Sequence, residues 1–183
     1  MKKHFFTAAL LSSFFLASCD KEKVEPTPAV EATTATADAR VGESRRLLPG
    51  ETIPFGWVVT ERNAFNETTI TYIAGAPYLY SVEIEGNSPI LAGWVFTRQF
   101  AGKIRLTNMK GAPAFASIEV LRSSPIPPRY VIDRDDALFR ITNLNGARRG
   151  ARIEVVGNSP VPTGWRVVST FGSKKTLENT QDF

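Results

Sequence analysis

The chain has 183 residues, 43% of them hydrophobic and 22% charged, with a formal charge of +4. This is long enough for one domain with its own core, and the mild basic excess falls short of the clustered patch that a nucleic-acid partner needs. The only cysteine is Cys19 and the only histidine is His4, which excludes an intramolecular disulfide, a Ser-His-Asp triad, and any His- or Cys-based metal site beyond the N-terminal segment.

Residues 1–18 divide into three parts: Met1-Lys2-Lys3-His4, an apolar run from Phe5 to Phe15, and Leu16-Ala17-Ser18 before Cys19. The run is too short to span a bilayer as a stable helix and reads as part of an export signal. Leu16-Ala17-Ser18-Cys19 resembles the lipobox of bacterial lipoproteins. That resemblance implies cleavage before Cys19 and a diacylglycerol thioether on its sulfur. Residues 1–18 are then a lipoprotein signal peptide, and acylated Cys19 anchors the chain to a cell-envelope membrane. Two or three acyl chains hold far more firmly than one. Asp20 follows directly. It resembles the inner-membrane retention signal of enterobacterial lipoproteins, and equally the acidic surface-export signal of Bacteroidota. Inner or outer membrane, and a periplasmic or surface-exposed domain, therefore stay open.

Residues 19–43 contain Glu25-Pro26-Thr27-Pro28 and an Ala/Thr-rich stretch, with no aromatic residue. Such a segment buries too little apolar area to offset its ordering entropy. It is expected to be a disordered tether. As a flexible coil of roughly 24 residues it would hold the domain about 25–30 Å from the bilayer.

From residue 44 to 183 the chain repeats. Ile84-Glu85-Gly86-Asn87-Ser88-Pro89 leads to Trp94, Val155-Val156-Gly157-Asn158-Ser159-Pro160 to Trp165, and Val120-Leu121-Arg122-Ser123-Ser124-Pro125 to Tyr130. A worn copy, Ile53-Pro54-Phe55-Gly56, leads to Trp57. The anchors Trp57, Trp94, Tyr130 and Trp165 lie 37, 36 and 35 residues apart. Length varies only between each aromatic and the following glycine (Gly75, Gly111, Gly146), which places an insertion-tolerant hairpin tip there. Each unit reads as three strands. Strand c carries Val82-Glu83-Ile84, Ile118-Glu119-Val120 or Ile153-Glu154-Val155. Strand a begins at the aromatic. Strand b alternates, as in Ile104-Arg105-Leu106-Thr107-Asn108. Arg45 to Leu48 takes the strand c place before Trp57, and Thr170 to Asn179 aligns with strand b, setting Leu177 on Leu106 and Asn179 on Asn108. β-branched residues at period two predict an all-β domain of four repeats of about 36 residues, three short strands in each. Twelve strands also occur in β-trefoils and β-prisms, whose usual repeat is threefold. The Trp and Asn-Ser-Pro pattern resembles repeats of uncharacterised envelope proteins and implies no activity.

Four groups of residues are candidate sites. Trp57, Trp94, Tyr130 and Trp165 would stack flat ligands such as sugars if exposed, or anchor the core. Glu83, Glu119 and Glu154 alternate away from the core, opposite Arg105 and Arg140, and suit cross-strand ion pairs. Asp133-Arg134-Asp135-Asp136 lacks the glycine and distal glutamate of a calcium loop, so no metal is expected. Arg148, Arg149 and Arg152 form the one basic cluster, suited to lipid headgroups or anionic glycans. There is no Walker loop or dinucleotide fingerprint, so no cofactor is expected. Features recurring in every unit suit architecture or multivalent binding better than one asymmetric active site. The expectation is a non-catalytic, membrane-anchored envelope lipoprotein that binds envelope polysaccharide or another envelope protein. The alternative is a carboxylate-based hydrolase acting on envelope glycan, which needs two acids about 5–10 Å apart in a cleft.

Overall fold

The computed structural model describes residues 39–181. Cys19 and the signal segment lie outside the described residues. Twelve strands run β1 (Ser44–Leu47), β2 (Trp57–Arg62), β3 (Thr68–Tyr72), β4 (Ser81–Glu85), β5 (Trp94–Phe100), β6 (Lys103–Asn108), β7 (Ser117–Val120), β8 (Tyr130–Asp135), β9 (Phe139–Asn143), β10 (Arg152–Val156), β11 (Trp165–Phe171) and β12 (Lys174–Asn179). They form four antiparallel three-stranded sheets, ordered β1-β3-β2, β4-β6-β5, β7-β9-β8 and β10-β12-β11. The domain is all-β and built from four similar units. Strand b is central in each, paired on both edges, and its second half is buried: Ile70, Leu106, Ile141 and Leu177 are fully buried on one side, and Thr107, Asn108, Thr142 and Asn143 are buried beside them.

Strand a is longer than its aromatic run suggests, and it is bulged. Register against strand b slips between Val59 and Glu61, Phe96 and Arg98, Ile132 and Arg134, and Val167 and Ser169. A bulge leaves one residue unpaired and adds twist, a feature invisible to a period-two reading.

Three of the four core clusters lie between units, and the fourth, around Trp57, Val59 and Ile70, lies within the first. Val58 of the first unit packs with Ile84, Trp94 and Leu106 of the second. Val95 packs with Val120, Tyr130 and Ile141 of the third, and Val131 with Val155, Trp165 and Leu177 of the fourth. Each sheet therefore rests its apolar face on the back of the one before. Among the described residues no strand of the first sheet touches one of the fourth, so the array is open.

The Ser-Pro segment locks each junction. Ser88 Oγ accepts the Val59 N–H at 2.7 Å, Ser124 Oγ the Phe96 N–H at 2.9 Å, and Ser159 Oγ the Ile132 N–H at 2.8 Å. Each hydroxyl belongs to the following unit and satisfies the amide beside the preceding unit's bulge. An amide left bare in that dry junction costs roughly 1–3 kcal/mol. Ser88→Ala is expected to lose about that much in urea unfolding, and the neighbouring exposed Asn87→Ala about 0.5 kcal/mol or less. Equal losses would mean that the serine is not a lock.

Both outer units replace these apolar and hydroxyl positions with charge. At the leading end Arg45 stands where Val82, Ile118 and Ile153 stand, and Glu51 stands in the register place of the serines. The two form an ion pair, with the Arg45 guanidinium 5.2 Å from the Trp57 ring centroid. Arg45 and the Leu48 N–H hold the Glu51 carboxyl down at about 2. At the other end Arg166 replaces the buried valines. It joins Arg152 on Glu178, at 2.9 and 2.6 Å, and the two guanidiniums hold that carboxyl below the usual carboxylate range. Terminal repeats with polar outer faces are what a stacked array needs to stay soluble.

The last residues of the segment expected to be a tether, 39–43, bond to the first sheet. Gly42 N–H donates to Tyr72 C=O, Tyr72 N–H donates to Glu43 C=O, and Ala39 packs beside Trp57. Residues 39–43 thus take the place that the inter-unit connectors take elsewhere, as Leu79 with Asn108, Phe115 with Asn143, and Gly150 with Asn179. They belong to the domain. Residues 19–38 lie outside the described residues.

Candidate functional site

The four column aromatics are core. Trp57, Trp94, Tyr130 and Trp165 are 2, 4, 5 and 7% exposed, so of the two readings open to them they take the core-anchor one and present no stacking surface. The reason is the stacking of units: strand a opens on the apolar face that the previous sheet, or residue 39, covers. Tyr130 still donates its hydroxyl to Met109 C=O at 2.9 Å, and burial pushes its phenol up to about 12. Trp57 Nε1 is buried with no hydrogen-bond partner.

The strand c glutamates are exposed, one on each of the last three sheets. Glu83 faces Arg105 across the register and pairs with it at 3.0 Å, as the alternation predicts. Glu119 also faces its arginine, Arg140, across the register, but that guanidinium turns to Asp133 at 2.7 Å. Glu154 faces Thr176 and pairs with Lys174. The three recur as exposed positions on separate sheets, two of them in surface ion pairs, and not as two acids sharing a cleft.

The acidic cluster does shape a cleft. The β8–β9 hairpin, the β11–β12 hairpin and the Asn158 loop enclose about 730 Å³, lined by Asp133, Asp135, Asp136, Arg140, Asn158 and Lys174. Gly157 N–H donates to Ser173 C=O and ties two of its walls. The charges are already matched. Arg140 Nε reaches both Asp133 oxygens at 3.1 and 2.9 Å, and the carboxylate raises the arginine further above its ordinary value. Arg122 binds Asp135 and the Asp136 carbonyl. Among the described residues no group of three His, Cys, Asp or Glu stands placed to hold a metal ion. Acids neutralised by arginine can still accept hydrogen bonds from hydroxyls, so the chemistry on offer is recognition of a polar, uncharged ligand. The sequence shows the cluster but not the second hairpin that makes it a cleft.

The basic cluster is split. Arg152 lies on the outer sheet face with Glu178. Arg148 and Arg149 stand exposed in the connector before β10, and among the described residues neither makes an ion pair. Strand alternation explains the split: Arg152 begins β10, so its side chain is committed to a sheet face. No known protein family, curated protein or solved structure matches the chain.

Proposed function

We propose that the chain is a cell-envelope lipoprotein, anchored to the inner or outer membrane through acylated Cys19, whose repeat domain is a non-catalytic binding or structural module. The observation that carries the anchor is Leu16-Ala17-Ser18-Cys19 directly after a basic start and a short apolar run. Support for the module comes from recurrence: one three-strand plan is used four times, and its repeated side chains serve junctions and surface pairs. Its partners would be envelope polysaccharide or another envelope protein. The hydrolase alternative has less support, since the strand c acids are spread singly over separate sheets.

Cys19→Ala is expected to abolish labelling by an acyl-chain analogue in growing cells and to move the protein from the membrane fraction to the soluble one. Undiminished labelling would sink the anchor. For the module, polysaccharides of the envelope are to be tested for saturable binding, with Asp136→Lys as the cleft variant.

A further inference from the structure

One end of the array differs from the rest in charge. Strand b ends, strand c begins and strand a begins at the same end of every sheet, so the connectors between units all lie there. Hydrogen bonds string them together. Leu79 N–H donates to Asn108 C=O, Phe115 N–H to Asn143 C=O and Gly150 N–H to Asn179 C=O, each connector binding the next sheet. This end carries Arg40, Lys110, Arg129, Arg148 and Arg149, all exposed. The connectors over residues 39–43, 72–80, 108–116 and 143–151 contain a single carboxylate, Glu43. The opposite end, with the a–b hairpin tips, mixes signs: Glu61, Arg62, Glu67, Asp135, Asp136 and Lys174.

A second observation at the connector end is independent of charge. Gly42, Leu79, Phe115 and Gly150 occupy one equivalent position, and all have left-handed backbone, with φ of 87°, 65°, 63° and 78°. Two units use glycine there, as the conformation favours. The other two hold large apolar residues at a steric cost, and hold them out in solvent, Leu79 53% and Phe115 45% exposed. Phe55, one residue before Gly56, is 83% exposed at the same end. Strain kept where glycine would relieve it, in side chains that the core does not use, is a mark of function.

The third observation is where the chain enters. Residues 39–43 are themselves the first connector, so the segment leading back to Cys19 leaves from this end.

We infer that the connector end is a membrane-docking face: Arg148, Arg149 and the neighbouring cations meet the phosphates of an anionic bilayer while Leu79, Phe115 and Phe55 enter its interface. Cations and apolar side chains on one face are the combination that interfacial binding requires, and each cation near an anionic surface adds roughly fivefold in affinity. The inference deepens the lipoprotein reading and rests on it for the membrane being at hand. Docking would lay the domain against the bilayer and turn the Asp133–Lys174 cleft, at the far end, outward.

The test uses the full chain with Cys19→Ala, so that no acyl chain contributes, and flotation with vesicles of phosphatidylcholine alone or with phosphatidylglycerol. Residues 1–18 are common to every chain compared. The parent is expected to prefer the anionic vesicles. Arg148→Glu with Arg149→Glu is expected to lower that binding at least tenfold. Leu79→Gly with Phe115→Gly is expected to lower it several-fold while melting no earlier than the parent, because glycine relieves the backbone. Phe100→Ser with Phe171→Ser, at the hairpin tips, is expected to leave it unchanged. No anionic preference, parent-like binding by both connector variants, or loss confined to the hairpin-tip variant would overturn the inference. Failure of Cys19 labelling in cells would instead strike the lipid anchor, a separate result.

Discussion

Val95→Arg is expected to break the array in its middle. Val95 is fully buried at the junction of the second and third sheets, where Arg166 stands exposed in the fourth. The same residue type at the same register position is a polar cap when nothing lies above it and an unpaired buried charge when a sheet does. Leaving a guanidinium unpaired in an apolar junction costs at least about 4 kcal/mol. Nearest-neighbour coupling predicts more than a lower midpoint. The first two units, reported by Trp57 and Trp94, should unfold apart from the last two, reported by Trp165. Arg166→Val, on the solvent side of the fourth sheet, is expected to change stability by about 1 kcal/mol or less. Urea unfolding followed by tryptophan fluorescence measures both. Comparable costs for the two variants would mean that the cores do not lie between units.

Asn143→Ala should be nearly as damaging, although it removes only an amide. The side chain is 3% exposed. Its Nδ2 donates to Ala112 C=O at 2.8 Å and Pro113 C=O at 3.0 Å, and its Oδ1 accepts the Asn145 N–H at 3.0 Å. These bonds hold the incoming connector against the end of strand b. Asn108 does the same with Ala76 and Pro77, and Asn179 with Ala147. Truncation leaves two carbonyls and an amide facing a void, worth about 2–4 kcal/mol together. Asn145→Ala, exposed beside it, is the control and should cost about 0.5 kcal/mol. A thermal melt in which both variants match the parent would remove the clamp from the account of the fold. In the first unit Tyr72 takes this place and packs its ring on Trp57, centroids 5.4 Å apart. That unit receives its connector from residues 39–43 and not from another sheet.

Much of this fold is written in spacing. The alignment of Leu177 with Leu106 and of Asn179 with Asn108 holds down to hydrogen-bond partners. The variable segment after each aromatic is the hairpin tip, five, two, three and two residues long. Spacing reports which residues are equivalent but not what lies above them. Val58 and Trp57 are adjacent and both buried, one by the next unit and one by its own, and no periodicity distinguishes those fates. The bulge hid for a related reason: Thr60 and Thr97 match, but Asp133 and Val168 stand in the same place with different chemistry, because the device is in the backbone, and in the first three units the amide before it bonds a serine about 28 residues on. The column aromatics were legible as equivalent residues and, from the valines and isoleucines beside them, as core anchors. The connector end was half legible. Arg148 and Arg149 announce themselves, whereas Leu79 and Phe115 become informative only beside Gly42 and Gly150.

The two charged caps have a consequence for how such a chain can change length over evolution. Each cap is confined to an outer unit, and the middle units meet their neighbours through the same valine and serine on either side. A duplication or loss running from one connector glycine to the next, such as Gly75 to Gly111, would return a valine to a serine and leave both outer faces as they were. The length of the array is therefore adjustable in whole modules while the first and last units keep their chemistry, which makes it a ruler whose marks can be added or removed without recutting its ends.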